Sequence, residues 1–213
     1  MAIHARAIRL GIPVFDDRVG NVSLGSLEVL VGDKDSYVHL FNYLIAKAWV
    51  DRGERVAFVI DKGFVNVHRV VAESFGIDAM GLEESNMWKY EEVDNSDDAM
   101  TKAIELFANF ALVLVDATSW FDPDLTLLHR TISTLINSNS IMVITLIDER
   151  VKPEALGILE ANAEYVVRFE TYWANLRVER IMKLCRSRHP TNPFAAYYSV
   201  TSDGIEIEEL KRL

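Results

Sequence analysis

Eight residues of this chain have the length and place of a phosphate-binding loop but little of its chemistry. Gly32-Asp33-Lys34-Asp35-Ser36-Tyr37-Val38-His39 follows directly on the apolar run LEVLVG, in the register of G-x-x-x-x-G-K-[ST]. Such a loop works because its glycines let backbone N–H groups curl around phosphate oxygens. Here only the first glycine remains. Tyr37 stands at the second glycine, Val38 at the lysine that reaches the phosphates, and His39 at the hydroxyl that holds Mg²⁺, a hard ion preferring oxygen. Asp35 adds a carboxylate inside the cradle. One charge-assisted hydrogen bond is worth roughly 1.5–3 kcal/mol, so losing the lysine alone weakens binding about 10- to 100-fold or more. The same residues have a plainer reading. A helix N-terminus has orphan N–H donors and a partial positive charge, and Asp35 or Ser36 is expected to cap it without any ligand.

Other chemistry is sparse. The histidines His4, His39, His68, His129 and His189 have no ligand spacing with Cys185 or one another, so no zinc site is expected. There is no G-x-S-x-G elbow. Cys185 lies in a strand-like apolar stretch and reads as a buried, inert thiol. Trp88, Trp120, Phe121, Tyr172 and Trp173 fall near strand ends or loops, and Trp120-Phe121 reads as a contact surface.

The elements that must hold the loop are legible from apolar runs. LEVLVG (27–32), RVAFVID (55–61), ALVLVD (111–116), SIMVITLID (140–148) and YVVRFE (165–170) read as buried strands. Helices are expected after residue 35 with Gly53 as the stop, over 64–76, over 100–110, over 123–138 opened by Pro123, and over 153–163. The acidic stretch 81–98 is weakly periodic and reads as a loop. Residues 176–184 and 195–200 look like antiparallel strands, and Ser202-Asp203-Gly204 is a hairpin signal into IEIEEL. Continuous β-branched runs separated by helices predict an α/β fold with a mainly parallel sheet covered on both faces, extended by an antiparallel meander. Leu27–Val31 is expected to lie centrally, beside strands ending at Asp61, Asp116 or Asp148. One domain over 1–213 is expected.

Composition bounds the partners. The net charge is −10 over 213 residues. That charge repels a phosphate backbone, so nucleic acid is an unfavoured partner. The basic stretch Arg177, Arg180, Lys183, Arg186, Arg188, His189 reads as a solvated strand face or a protein contact. A single cysteine fits a reducing compartment, and neither a signal peptide nor a membrane span is visible; a cytoplasmic location is expected.

Read in order, these segments resemble the KaiC-like branch of the RecA superfamily. Arg9-Leu10-Gly11-Ile12-Pro13-Val14-Phe15-Asp16 resembles its T-G-I-x-x-L-D motif, and Gly20-Asn21-Val22-Ser23-Leu24-Gly25-Ser26 its G-G-I-x-x-G-S. Arg52-Gly53-Glu54-Arg55-Val56 follows at the expected distance. Arg186-Ser187-Arg188-His189 resembles part of K-x-R-G-S-x-H, and Thr201 to Ile207 resembles I-T-x-x-G-I-x-V. The resemblance covers nearly the whole chain and implies a RecA-like P-loop NTPase fold. It implies that Asp116 matches the Walker B aspartate of the Mg²⁺ shell, whose other reading is a loop-capping Asp. It makes Asp61 the nearest match to the acidic residue that orients water. Lys183 or Arg186 would be the finger that reaches a neighbouring subunit's nucleotide. Their spacing is off by one residue, which in a regular strand turns the two side chains to opposite faces.

The resulting expectation is a RecA/KaiC-like pseudo-ATPase of archaeal type. It would act as an interaction or regulatory subunit with no catalytic residues, no cofactor and no metal. Its partner would be a protein, either a second copy or an active RecA-like paralogue. The alternatives are a divergent, weak binder of ATP and Mg²⁺ in which Lys34 or Lys47 replaces the lost lysine, and a DNA-repair accessory.

Overall fold

In the computed structural model the apolar runs pair into one sheet. The structure describes residues 8–174, 177–191, 194–202 and 204–210; His4, Leu176 and Asp203 of the turn signal lie outside them. In chain order the elements are α1 (Pro13–Arg18), β1 (Leu27–Gly32), a 3-10 turn (Val38–Leu40) running into α2 (Phe41–Val50), β2 (Val56–Asp61), α3 (Val65–Ser74), α4 (Ala79–Glu84) and β3 (Trp88–Val93). There follow α5 (Ser96–Leu106), β4 (Leu112–Ala117), α6 (Leu125–Ile136), β5 (Ile141–Ile147), a 3-10 turn (Asp148–Arg150), α7 (Pro153–Asn162) and β6 (Tyr165–Ala174). The chain closes with β7 (Arg177–Ser187), β8 (Ala195–Thr201) and β9 (Gly204–Glu209).

The strand order is β3-β2-β4-β5-β1-β6-β7-β8-β9. Every pairing from β3 to β6 is parallel, and β6 to β9 form the antiparallel extension. β1 is central as expected, between β5 and β6, so one neighbour is the strand leading to Asp148 and the other is YVVRFE. Alternate residues of each strand feed two cores. One face packs with Phe15, Val38, Phe41, Tyr43 and Trp49 against α1 and α2, and the other with Met100, Leu128 and Leu159 against α5, α6 and α7.

Three local expectations are corrected. The stretch 81–98 is ordered: α4 ends in it and β3 crosses it. β3 is an edge strand with only Trp88 and Val93 buried, and its charged middle hid the pattern. Asp124 rather than Pro123 opens α6, its carboxylate accepting the Leu127 N–H at 2.9 Å. Neither Asp35 nor Ser36 caps the helix after β1.

The resembling segments near the N-terminus are a structural staple. Asp16 accepts the N–H groups of Leu10 (2.8 Å) and Gly11 (2.9 Å), while the Trp49 indole donates to the Leu10 carbonyl (2.8 Å). Burial pushes the Asp16 carboxyl up to about 6, more than those two N–H bonds and the Arg52 and Arg9 charges lower it.

Candidate functional site

The loop after β1 is closed upon itself. Gly32 ends the strand, and a Cβ on it would lie 2.2 Å from Ser36 Oγ and 2.7 Å from Val38 Cβ. Ser36 and Val38 are both fully buried. The concavity in which an open loop holds phosphate is therefore filled by the chain's own side chains. Val38, at the lysine position, is a core residue against Gly32. Tyr37 keeps a left-handed backbone (φ 53°, ψ 32°) although it is not glycine, a conformation that costs a side-chain-bearing residue roughly 1–2 kcal/mol.

The antiparallel extension ties this loop down. Asp33 accepts from the Thr171 N–H (2.5 Å), the Thr171 hydroxyl (2.9 Å) and the Asp35 N–H (2.9 Å). The Ser36 hydroxyl donates to the Asp33 carbonyl at 2.6 Å. Tyr198 of β8 donates to the Ser36 carbonyl at 2.7 Å, and burial raises its phenol well above the usual range. Arg180 of β7 donates to the Asp35 carbonyl at 3.0 Å and lies 4.8 Å above the Tyr37 ring. Asp33, one of the eight loop residues, is the anchoring carboxylate. Lys34 points outward and is exposed, and Lys47 pairs with Asp51 on the surface of α2.

Beside the loop, His39, Asp116, Tyr43 and His68 form a polar cluster under α2 and α3. Asp116 sits at the end of β4 and accepts from the Thr118 hydroxyl (2.7 Å) and N–H (3.3 Å), the loop-capping reading. The Tyr43 hydroxyl and His68 Nδ1 share a hydrogen bond at 2.5 Å. Burial holds the His39 and His68 imidazoles below their usual range, against the pull of the Asp116 charge. Asn42, fully buried, accepts from Thr145 at 2.7 Å, and its own Nδ2 has no partner among the described residues. Asp61 at the end of β2 accepts from the Ser119 hydroxyl, two loops converging at the strand ends. Among the described residues no three His, Cys, Asp or Glu side chains are placed to share a metal ion.

Lys183 and Arg186 do reach one face. β6 and β7 slip in register by one residue: Val166 pairs with Arg186 and Val167 with Leu184, leaving Cys185 as the extra residue of a bulge. Lys183, opposite Arg168, and Arg186, opposite Val166, therefore face the same side of the sheet, and the odd spacing is absorbed. Both heads are engaged within the chain. Lys183 donates to Glu170 (2.6 Å), and Arg186 to the carbonyls of Glu160 (2.6 Å) and Ala161 (3.2 Å) at the end of α7. Arg180 and Lys183 thus do not form a free basic surface. Two further expectations change here. Cys185 is exposed rather than buried, because the bulge turns it off the core. Phe121 is a core residue bridged to Val151, so only Trp120 of that pair is exposed.

Thr171, Arg180 and Tyr198, which hold the loop, were not singled out for it by sequence. They lie 138, 145 and 162 residues from their partners, and nothing in local spacing signals such pairs.

No protein-family model and no curated protein matches the chain. Solved structures do. A KaiC-like protein, PH0186, from the hyperthermophilic archaeon Pyrococcus horikoshii superposes with a TM-score of 0.78 at 19% identity, covering 95% of this chain and 99% of that one. The flagellar accessory protein FlaH from Methanocaldococcus jannaschii superposes with a TM-score of 0.78 at 15% identity, covering 97% and 100%. At this identity the likeness is one of fold, and the fold is RecA-like. ATP and Mg²⁺, which that fold implies, do not fit the residues present: Ser36 and Val38 pack on Gly32, and a buried valine stands at the lysine position.

Proposed function

We propose that this chain is a RecA-like pseudo-ATPase: a cytoplasmic interaction or regulatory subunit that works without binding or hydrolysing nucleotide. The observation that carries the proposal is the closure of the loop, with Ser36 Oγ and Val38 packed on Gly32 and the loop fastened to β6, β7 and β8. Opening it for a phosphate would break the bonds of Asp33, Asp35 and Ser36 to the extension and expose a buried valine. The internal pairing of Arg180, Lys183 and Arg186 also argues against a phosphate-backbone ligand. What remains for such a subunit is protein contact, with a second copy or with an active RecA-like paralogue.

A direct test is thermal unfolding with and without millimolar ATP–Mg²⁺. A ligand at 100 times its Kd stabilises by about 2.7 kcal/mol, several degrees in a chain of this size. No shift is expected. A shift of several degrees would overturn the proposal in favour of the divergent-binder reading, which rests on Asp116 keeping its place at the strand end beside His39.

A further inference from the structure

We propose that a cleft at the amino ends of β1 and β6 binds a small α-amino acid with an aliphatic side chain. The proposal goes beyond the pseudo-ATPase reading and stands apart from it, because this cleft lies at the opposite end of the strands from the loop after β1. The segment leading into β1, the last turn of α6, the end of α7 and the residues following β7 meet there. The cleft has a volume of about 280 Å³, just below the range of drug-sized pockets and suited to a smaller molecule. Ile132 and Leu135, both buried, form its floor, while Leu24 and Ile136, 41% and 57% exposed, stand at its mouth. An aliphatic side chain entering between them removes from water apolar surface that the chain leaves wet.

The polar lining selects the rest of the ligand. Glu164 is buried, and its oxygens accept from the Ser23 N–H (3.1 Å) and the Ser23 hydroxyl (3.1 Å). Among the described residues its one ion pair is with His189 Nε2 at 2.9 Å, a half-exposed imidazole that is charged only when protonated. A buried carboxylate is costly without a cation, and an ammonium supplies one that keeps its charge at neutral pH. Arg188 lines the same cleft and is exposed. Among the described residues its guanidinium makes one hydrogen bond, to the Ala161 carbonyl at 3.4 Å, so most of its five donors are open. That planar fork matches a carboxylate. A carboxylate, a guanidinium and an apolar floor in one cleft select a molecule with an ammonium, a carboxylate and an apolar tail. An amine alone leaves Arg188 unmatched, and a carboxylic acid alone brings a like charge to Glu164. Behind the lining, Glu28 is fully buried, bonded to Ser26 (2.7 Å) and pushed well above the carboxylate range by burial; perturbed titratable groups beside a cleft concentrate at functional sites.

Titration calorimetry of the full chain tests this, with L-leucine as the probe. One-to-one binding is expected at millimolar ligand or below. Isopentylamine, which is leucine without its carboxylate, and isocaproate, which is leucine without its ammonium, are each expected to bind at least about 10-fold more weakly, the worth of one charge-assisted hydrogen bond. Arg188→Met and Leu24→Trp change exposed residues and are expected to weaken L-leucine by at least the same factor while their unfolding curves match the parent's. Glu164→Gln is expected to weaken it too; because Glu164 also holds Ser23, its unfolding is measured alongside, and the two surface variants decide the matter if it is destabilised. No heat with L-leucine at millimolar concentration, equal binding of the amine or the acid, or undiminished binding by Arg188→Met and Leu24→Trp overturns the proposal.

Discussion

Replacing Gly32 by alanine separates a closed loop from an open one. Gly32 does not have a positive φ, so alanine meets no backbone penalty there. Its methyl would lie 2.2 Å from Ser36 Oγ and 2.7 Å from Val38 Cβ and Cγ1. Neither neighbour can yield easily. Ser36 is held through its hydroxyl and its carbonyl, and Val38 is fully buried. Forcing a methyl into a filled site typically costs about 1–3 kcal/mol. At about 2–4 °C per kcal/mol for a chain of this length, Gly32→Ala is expected to lower the melting temperature by several degrees with no nucleotide present. Urea unfolding should show the same loss with an unchanged slope. Adding Ser36→Gly should return part of the loss, because it removes the closer clash and leaves Val38 in place. In an open loop the same methyl would meet only solvent until a phosphate arrived. A Gly32→Ala protein within about 0.5 kcal/mol of the parent, the range of an ordinary surface substitution, would therefore refute the closed loop.

The remaining expectations concern the extension and the buried acids. Tyr198→Phe removes the donor to the Ser36 carbonyl and should cost about 1–3 kcal/mol in chemical unfolding; no loss would mean the clamp is not formed in solution. The Asp16 carboxyl, raised from 3.8 to about 6 by burial, binds its proton more tightly when folded. Its stabilisation is complete below pH 3.8 and lost as pH rises through 6, and it amounts to about 3 kcal/mol at about 1.4 kcal/mol per pH unit. Asp16→Asn should remove that slope from a series of unfolding curves between pH 4 and 7, and an unchanged slope would assign it to other groups. Glu28, fully buried on β1, is pushed well above the carboxylate range by burial, while its oxygens accept from Ser26 (2.7 Å) and the Tyr165 N–H (3.0 Å). Glu28→Gln keeps a neutral group of the same shape and should retain stability at pH 8; a loss above about 2 kcal/mol, the size of an uncompensated buried polar group, would show that the charge is needed.

The parallel core was legible because each of its strands is buried on both faces and reads as an unbroken β-branched run. Where burial is partial, the signal fades. β3 presents buried residues only at its ends, Trp88 and Val93, around a charged middle, and α4 spans only Ala79–Glu84. The departure of Tyr37, Val38 and His39 from the G-K-[ST] pattern was visible as residue types. What replaces it was not, because Asp33, Ser36 and Asp35 are held by Thr171, Tyr198 and Arg180 from the other end of the chain. The spacing of Lys183 and Arg186 was ambiguous for a related reason. A bulge at Cys185 exists only in the pairing of two strands, and no single strand's sequence displays it.

Tyr37 connects these observations. A left-handed backbone suits glycine, yet this loop keeps that conformation with a tyrosine. A strained conformation persists only where its surroundings over-determine it. Here they do: the Tyr37 ring lies under the Arg180 guanidinium, the preceding carbonyl is bound by Tyr198, and the next side chain is sunk in the core. These contacts fix the path of the backbone from within the chain. If the proposed absence of nucleotide binding holds, a loop shaped in this way has no need of the motif's lysine and hydroxyl, and valine and histidine at positions 38 and 39 cost it nothing.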